Sequence, residues 1–180
     1  MQPSVQMIPQ WAQLALLIVP AVSTIFAAIA LLLSFNQFRR NNAQARAALV
    51  AECLKNFAED EQIMRAFYAV EYSEFRYDEK FHRSESEREI DKLLRHFSNI
   101  ALAWQGGLLS INDVRPIQYY ILRVLQDLEV IKYLKFIEDW SKQQELGEHP
   151  YAALARLGEN LKKRSRAASL SGFVMDNREE

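Results

Sequence analysis

The feature that most constrains this chain is an uncharged, largely apolar run over residues 11–38. The run reads WAQLALLIVPAVSTIFAAIALLLSFNQF and contains no Asp, Glu, Lys or Arg. At a helical rise of ~1.5 Å per residue it would extend roughly 42 Å, more than the ~30 Å hydrocarbon core of a bilayer. It is also too long for a cleaved signal peptide. A buried core helix is the alternative, but the length favours a single transmembrane helix over residues 11–38.

The residues on either side of the run predict its orientation. Arg39 and Arg40 follow it directly, whereas residues 1–10 carry no charged side chain. Because Lys and Arg close to a span are retained on the cytoplasmic side, we expect a bacterial inner-membrane protein with residues 1–10 outside and the rest in the cytoplasm. Trp11 is then the predicted anchor at the outer interface, and Arg39 and Arg40 are the anchors at the inner one.

Small residues recur within the run at a spacing of four. Ser23 with Ala27, and Ala30 with Ser34, have the spacing that lets two membrane helices approach closely. These four residues form a candidate helix-association face. The alternative is an alanine-rich helix that associates with nothing.

Composition predicts helix for the rest of the chain. Only five Gly and five Pro occur in 180 residues, and no stretch alternates apolar and polar residues as a strand would. The predicted fold class is all-α, with one N-terminal transmembrane helix and a small cytoplasmic helical bundle over residues 39–164. Residues 165–180 are predicted to be a flexible tail. A single cysteine, Cys53, excludes an intramolecular disulfide.

Apolar stripes and capping residues place the first helices of the bundle. A helix continues directly from the uncharged run to Phe57, and Asp60 can cap a short second helix. A charged, aromatic loop follows. The strongest helix begins at Ser84 or Ser86, since each has a Glu three residues later in the capping-box spacing. It ends at the glycine pair of residues 106–107.

A second long helix follows the glycine pair, and a last helix covers about residues 151–164. Ser110 and Asp113 are expected to begin the second long helix, which bends or rotates its buried face near residues 127–132. Two long helices joined by a tight turn predict an antiparallel pair. The helix after residue 38 and the last helix should pack across that pair.

Two segments carry a resemblance to a known family. LLRHFSNIALAWQGGLLS and HPYAALARLGENL resemble a family of short bacterial and phage proteins that is catalogued only as a domain of unknown function. The resemblance covers about residues 15–162 and implies an N-terminal apolar span before a helical domain. Family members often have an acidic residue after the aromatic of the first long helix, where this chain has Ser98. The resemblance implies no activity.

Motif analysis predicts no catalytic, metal-binding or cofactor-binding residues. The three histidines (82, 96 and 149) lack metal-ligand spacing, and His96 is interpreted as a satisfied packing residue. No phosphate-binding glycine loop or nucleophile elbow occurs. One basic cluster consists of Lys162, Lys163, Arg164 and Arg166. It could complement the dipole of a helix C-terminus or contact anionic lipid headgroups, and the sequence leaves both interpretations open.

These observations predict a membrane-tethered interaction or scaffold protein without catalysis. Two arrangements stay open, an accessory subunit of a larger membrane complex and a homo-oligomer joined through the span. The predicted partners of the chain are the lipid bilayer and another protein or a second copy of itself. Nucleic acid is not predicted, because 22 basic and 23 acidic residues nearly cancel. No cofactor or small-molecule substrate is predicted either. The alternative is a membrane-acting phage-related or defence effector that oligomerises through its span. An enzyme would require side chains that converge in a pocket.

Overall fold

The computed structural model describes the backbone of residues 10–176 and the side chains of residues 29–167. Over that backbone it is helical and contains no strand, so the all-α prediction is confirmed. The helices are α1 (Gln10–Glu59), α2 (Glu61–Glu71), α3 (Glu85–Gln105), α4 (Gln118–Gln126), α5 (Leu128–Gln143) and α6 (Ala152–Asp176), with a 3-10 turn at Arg115–Ile117.

The predicted membrane topology is contradicted. Among the residues with described side chains, no helix is both long and apolar enough to cross a bilayer. This finding contradicts the predicted localisation. The sequence predicts a bacterial inner-membrane protein with its N-terminus outside and its C-terminal domain in the cytoplasm, and that prediction is wrong. Of the predicted sites, Trp11, Ser23 and Ala27 lie outside the described side chains.

The chain divides into two compact units, Met1–Ala45 and Arg46–Glu180. In the first unit the described backbone is helical and belongs to α1. The second unit contains the hydrophobic core, in which Phe97, Leu93, Leu94, Ile121 and Leu157 are fully buried. The last part of α1 contributes to this core through Phe57, whose ring lies 5.6 Å from that of Phe97 and 4.9 Å from that of Tyr120.

Both predicted helix starts in the first half of this unit are confirmed. Asp60 caps α2, because its Oδ1 accepts hydrogen bonds from the backbone N–H groups of Gln62 (3.1 Å) and Ile63 (3.2 Å). Of the two candidates for α3, the structure selects Ser84, whose Oγ accepts from the backbone N–H of Glu87 at 3.1 Å. Such side-chain bonds satisfy N–H groups that have no partner inside the helix.

The glycine pair ends α3 as predicted. Gly107 has a φ of +74°, which a residue with a Cβ rarely adopts. This conformation lets the N–H of Gly107 bond to the carbonyl of Trp104 (3.0 Å) and that of Leu108 bond to Ala103 (2.9 Å). Two carbonyls at the end of the helix are thereby satisfied.

The second predicted long helix is two helices. Ser110 and Asp113 bond to each other, with 2.7 Å between Ser110 Oγ and Asp113 Oδ2, but they close a turn and begin no α-helix. The expected bend is a complete break at Asp127, which ends α4 and caps α5 by accepting from the N–H groups of Glu129 and Val130. The pattern indicated the position, and the capping chemistry of Asp127 explains why the helix stops.

The packing differs from a simple antiparallel pair. α3 packs mainly against α2 and α6, while α4 packs against α2, α5 and α6. Gly158 permits the close approach of α6 to α4, since a Cβ at this position would collide with the end of the Leu125 side chain. α6 also runs to Asp176, past the predicted end at residue 164. The four cations of residues 162–166 therefore lie inside a helix, and the interpretation that places them at its C-terminus is wrong.

Candidate protein-interaction surface

The side chains of two residues of the predicted association face, Ala30 and Ser34, and of both inner anchors are described, and all four residues lie on α1. Ala30, Ser34, Arg39 and Arg40 are all exposed. The Arg39 guanidinium lies 6.0 Å from the centre of the Phe35 ring, within the range of a cation–π contact. Among the residues with described side chains, these four make no other hydrogen bond, ion pair or ring contact that would form a site.

One polar cluster fixes the loop before α3. His82 lies between two partners, with Nε2 3.1 Å from the Tyr77 hydroxyl and Nδ1 3.0 Å from Glu87 Oε1. Burial acts to raise the pKa of Glu87, but hydrogen bonds from His82 and the Arg83 backbone outweigh it, so the pKa is lowered. Tyr77 is also tied to α5, because its backbone N–H donates to Glu129. The cluster thus fastens this loop onto α3 and α5.

A second polar cluster joins three parts of the bundle. Asp91 Oδ1 on α3 accepts hydrogen bonds from the hydroxyl of Tyr133 on α5 (2.7 Å) and from that of Tyr151, just before α6 (3.0 Å). Burial is the main cause that raises the pKa of both tyrosines, and the bond to Asp91 raises it further. Both hydroxyls therefore stay protonated and act as donors that stabilise the fold.

The histidines and the cysteine form no metal site among the described residues. His96 packs between Phe57 and Phe97, with ring centroids 5.9 Å and 5.6 Å away. This agrees with the predicted packing role. Its Nε2 is nevertheless buried without a hydrogen-bond partner among the described residues, so this nitrogen atom is not satisfied as predicted.

The most distinctive surface lies along α4 and the middle of α6. Four adjoining grooves of about 480, 380, 470 and 340 Å³ each share lining residues with at least one of the others, and we name them together the α4–α6 groove. Six of its sixteen lining residues are cationic and none is acidic. The cations are Arg115, Arg123, Lys162, Lys163, Arg164 and Arg166.

Some of these cations are neutralised and others are not. Arg123 Nε lies 3.0 Å from Glu71 Oε2, and Lys162 Nζ lies 3.5 Å from Glu159 Oε1. Arg115, Lys163 and Arg164 are exposed and make no ion pair within the described part of the chain. The groove therefore carries positive charge that its own neighbours do not balance.

The groove contains all four cations predicted as a basic cluster and adds two that the sequence reasoning missed. Arg115, Tyr119, Leu122 and Gln126 have the spacing i, i+4, i+7 and i+11, so they share one face of the segment that becomes α4. This spacing is visible in the sequence, but a mostly polar helix face normally contacts water and does not by itself indicate a binding surface. Its proximity to Lys162–Arg166 exists only in the folded bundle.

Comparisons with known proteins give no relative of this chain. No protein-family model, curated protein or solved structure matches it. The resemblance to the family of unknown function therefore stays a prediction.

Proposed function

We propose that this chain is an interaction or scaffold protein that binds a protein partner through the α4–α6 groove. The observation that supports the proposal is the composition of the groove, which combines six cations, no acid and an apolar floor. The formal net charge of the chain is only −1, so this concentration of positive charge is local. Charge of one sign beside apolar surface is the arrangement that gives a protein interface its specificity and its rapid association.

Site-specific photo-crosslinking in cells tests this function. A photoreactive amino acid replaces Tyr119, which is 58% exposed in the groove, and the matched control replaces Trp140, which is 48% exposed on α5. We expect one protein to be crosslinked reproducibly from position 119 and not from position 140. The R115E/R164E variant should remove that crosslink. No protein adduct at position 119, or the same adducts from both positions, would contradict the proposal.

Self-association through α1 is a second contact that a specific observation favours. Leu31, Leu32, Leu33, Phe35 and Phe38 are between 60% and 71% exposed. Consecutive residues of a helix point in directions ~100° apart, so these apolar side chains cover most of the circumference of α1, and the uncharged Ser34 and Gln37 lie in the remaining arc. Another copy of α1 could cover them without burying a charge, since residues 11–38 contain none. Several copies would then display their bundles together, as a scaffold does.

Light scattering of the purified full chain tests the self-association. We expect an oligomer that Phe35→Glu dissociates, because a carboxylate would be buried in the contact. Asn42→Glu is the matched control on an exposed position of the same helix and should leave the mass unchanged. A monomer, including one whose α1 is covered by detergent or lipid, would overturn this contact.

No observation in the described residues favours the alternative function, a phage-related or defence effector that oligomerises through its span. That alternative and the predicted absence of catalysis both stay predictions. The absence of a cofactor and of a small-molecule substrate are likewise predictions.

A further inference from the structure

We infer that the α4–α6 groove accepts an acidic, amphipathic helix of a partner protein. The inference rests on the proposed function and adds the chemistry of the partner. It depends on the charge at the edges of the groove, the side chains of its floor, and its shape.

The charge selects an acidic partner. Arg115 and Arg164 line the same part of the groove, and both lack an ion pair among the described residues. Lys163 adds a third such cation further along. A carboxylate placed here would gain charge-assisted hydrogen bonds, while a basic partner would meet repulsion with no acidic lining residue to relieve it.

The floor selects an amphipathic partner. Leu122, Ile111 and Trp104 are half-buried and line the same groove as the cations. Apolar side chains of the partner can therefore be removed from water here while its carboxylates meet the cationic edges. A purely charged chain would leave this apolar surface uncovered.

The shape selects a helix. The groove follows α4, whose nine residues extend roughly 13 Å at ~1.5 Å per residue, enough for a partner helix of two to three turns. Tyr119 is positioned for such contact, since its hydroxyl donates to Glu71 Oε1 at 2.6 Å and its ring remains exposed. Because that bond already restrains the side chain, binding costs little side-chain entropy.

Single-stranded nucleic acid fits the groove less well. Such ligands stack successive bases on aromatic side chains, and the only aromatic residues in the lining are Tyr119 and Trp104. These two line different grooves with no lining residue in common. The groove thus provides no series of stacking platforms for neighbouring bases.

Fluorescence anisotropy with the full chain tests the inference. The probe is a labelled synthetic helix of about 18 residues, long enough to be helical, with leucines along one face and glutamates on both sides of it. One control peptide replaces the glutamates with lysines, and a second replaces the leucines with serines. We expect only the acidic amphipathic peptide to bind well, with each control weaker by about ten-fold or more.

Variants of the protein locate the binding. R115E/R164E should lower the affinity for the acidic peptide by about ten-fold or more, and Leu122→Ser should lower this affinity by several-fold. The matched control, Lys135→Glu, reverses an exposed charge on α5 and should leave affinity within about two-fold. Circular dichroism and thermal unfolding of each variant check that the fold is intact, above all for Leu122→Ser, because Leu122 packs partly buried against the core.

Three results would overturn the inference. They are binding of the lysine peptide, peptide binding that R115E/R164E leaves unchanged, and groove-dependent binding of single-stranded RNA or of anionic lipid vesicles where the peptide fails. The proposed function is judged separately by the crosslink at position 119. If that crosslink forms while the acidic peptide fails, the interaction function stands and only the helix inference is lost.

Discussion

Asp91 receives the two hydroxyl bonds that join α3 to α5 and to the start of α6. We expect Asp91→Ala to lower the free energy of unfolding by about 2–4 kcal/mol, because two buried hydroxyls lose their acceptor. Urea unfolding followed by circular dichroism measures the change. Asp139→Ala, which removes an exposed acid from α5, is the control and should change stability by less than about 0.5 kcal/mol. Equal effects of the two substitutions would show that the Asp91 bonds add little.

His96 makes stability depend on pH. Burial lowers the pKa of His96. The nearby Asp60 carboxylate and a hydrogen bond with the Cys53 backbone raise this pKa, but by less, so the net shift is downward. As the pH falls, His96 of the unfolded chain therefore becomes protonated before His96 of the folded chain, near the ordinary histidine pKa of ~6.5. The contribution of neutral His96 is complete above that pH and is lost as the pH falls below it.

We expect His96→Leu to reduce the loss of stability between about pH 7 and pH 5. Burial also lowers the pKa of His149, so part of the pH dependence should remain in the single variant and should decrease further in the double variant. Thermal unfolding across this pH range measures the effect. A slope unchanged by His96→Leu would mean that His96 titrates alike in the folded and unfolded chains.

At the scale of the element, α3 depends on its N-cap residue, Ser84, for a defined start. Ser84→Ala should cost about 1 kcal/mol of stability, since the N–H of Glu87 loses its acceptor. Ser86→Ala is the matched control, because Ser86 has the same sequence spacing to a Glu but lies exposed inside the helix. Chemical denaturation of both variants distinguishes them. A larger loss of stability for Ser86→Ala than for Ser84→Ala would show that Ser84 is not the residue that caps α3.

At the scale of the whole molecule, the unit Arg46–Glu180 contains the buried core. A chain that begins at Arg46 should therefore unfold cooperatively with stability within about 1 kcal/mol of the full chain. A chain that begins at Asp60 should be less stable by about 3 kcal/mol or more, since it lacks Phe57, which is 3% exposed. Calorimetry of the three chains measures this. Similar stability of the two shortened chains would exclude Phe57 from the core.

The sequence by itself determined the all-helical class and most helix boundaries. Capping is local: Asp60 and Ser84 bond to backbone groups two or three residues away, and Gly107 takes a conformation that its own lack of a Cβ permits. Interactions of this range can be read from a single sequence. Asp127 has the same local chemistry, but the continuous apolar pattern around it predicted a bend where the structure has a break.

The tertiary structure alone decided which helices are neighbours and where the candidate site lies. An apolar stripe shows that one face of a helix is buried, but it does not show which element covers that face. We predicted that the two long helices would pair, whereas α3 packs mainly against α2 and α6. Arg115 is separated from Arg164 by about fifty residues of chain, and no local rule brings them together. The α4–α6 groove depends on the packing of α6 beside α4, a contact that composition and spacing do not encode.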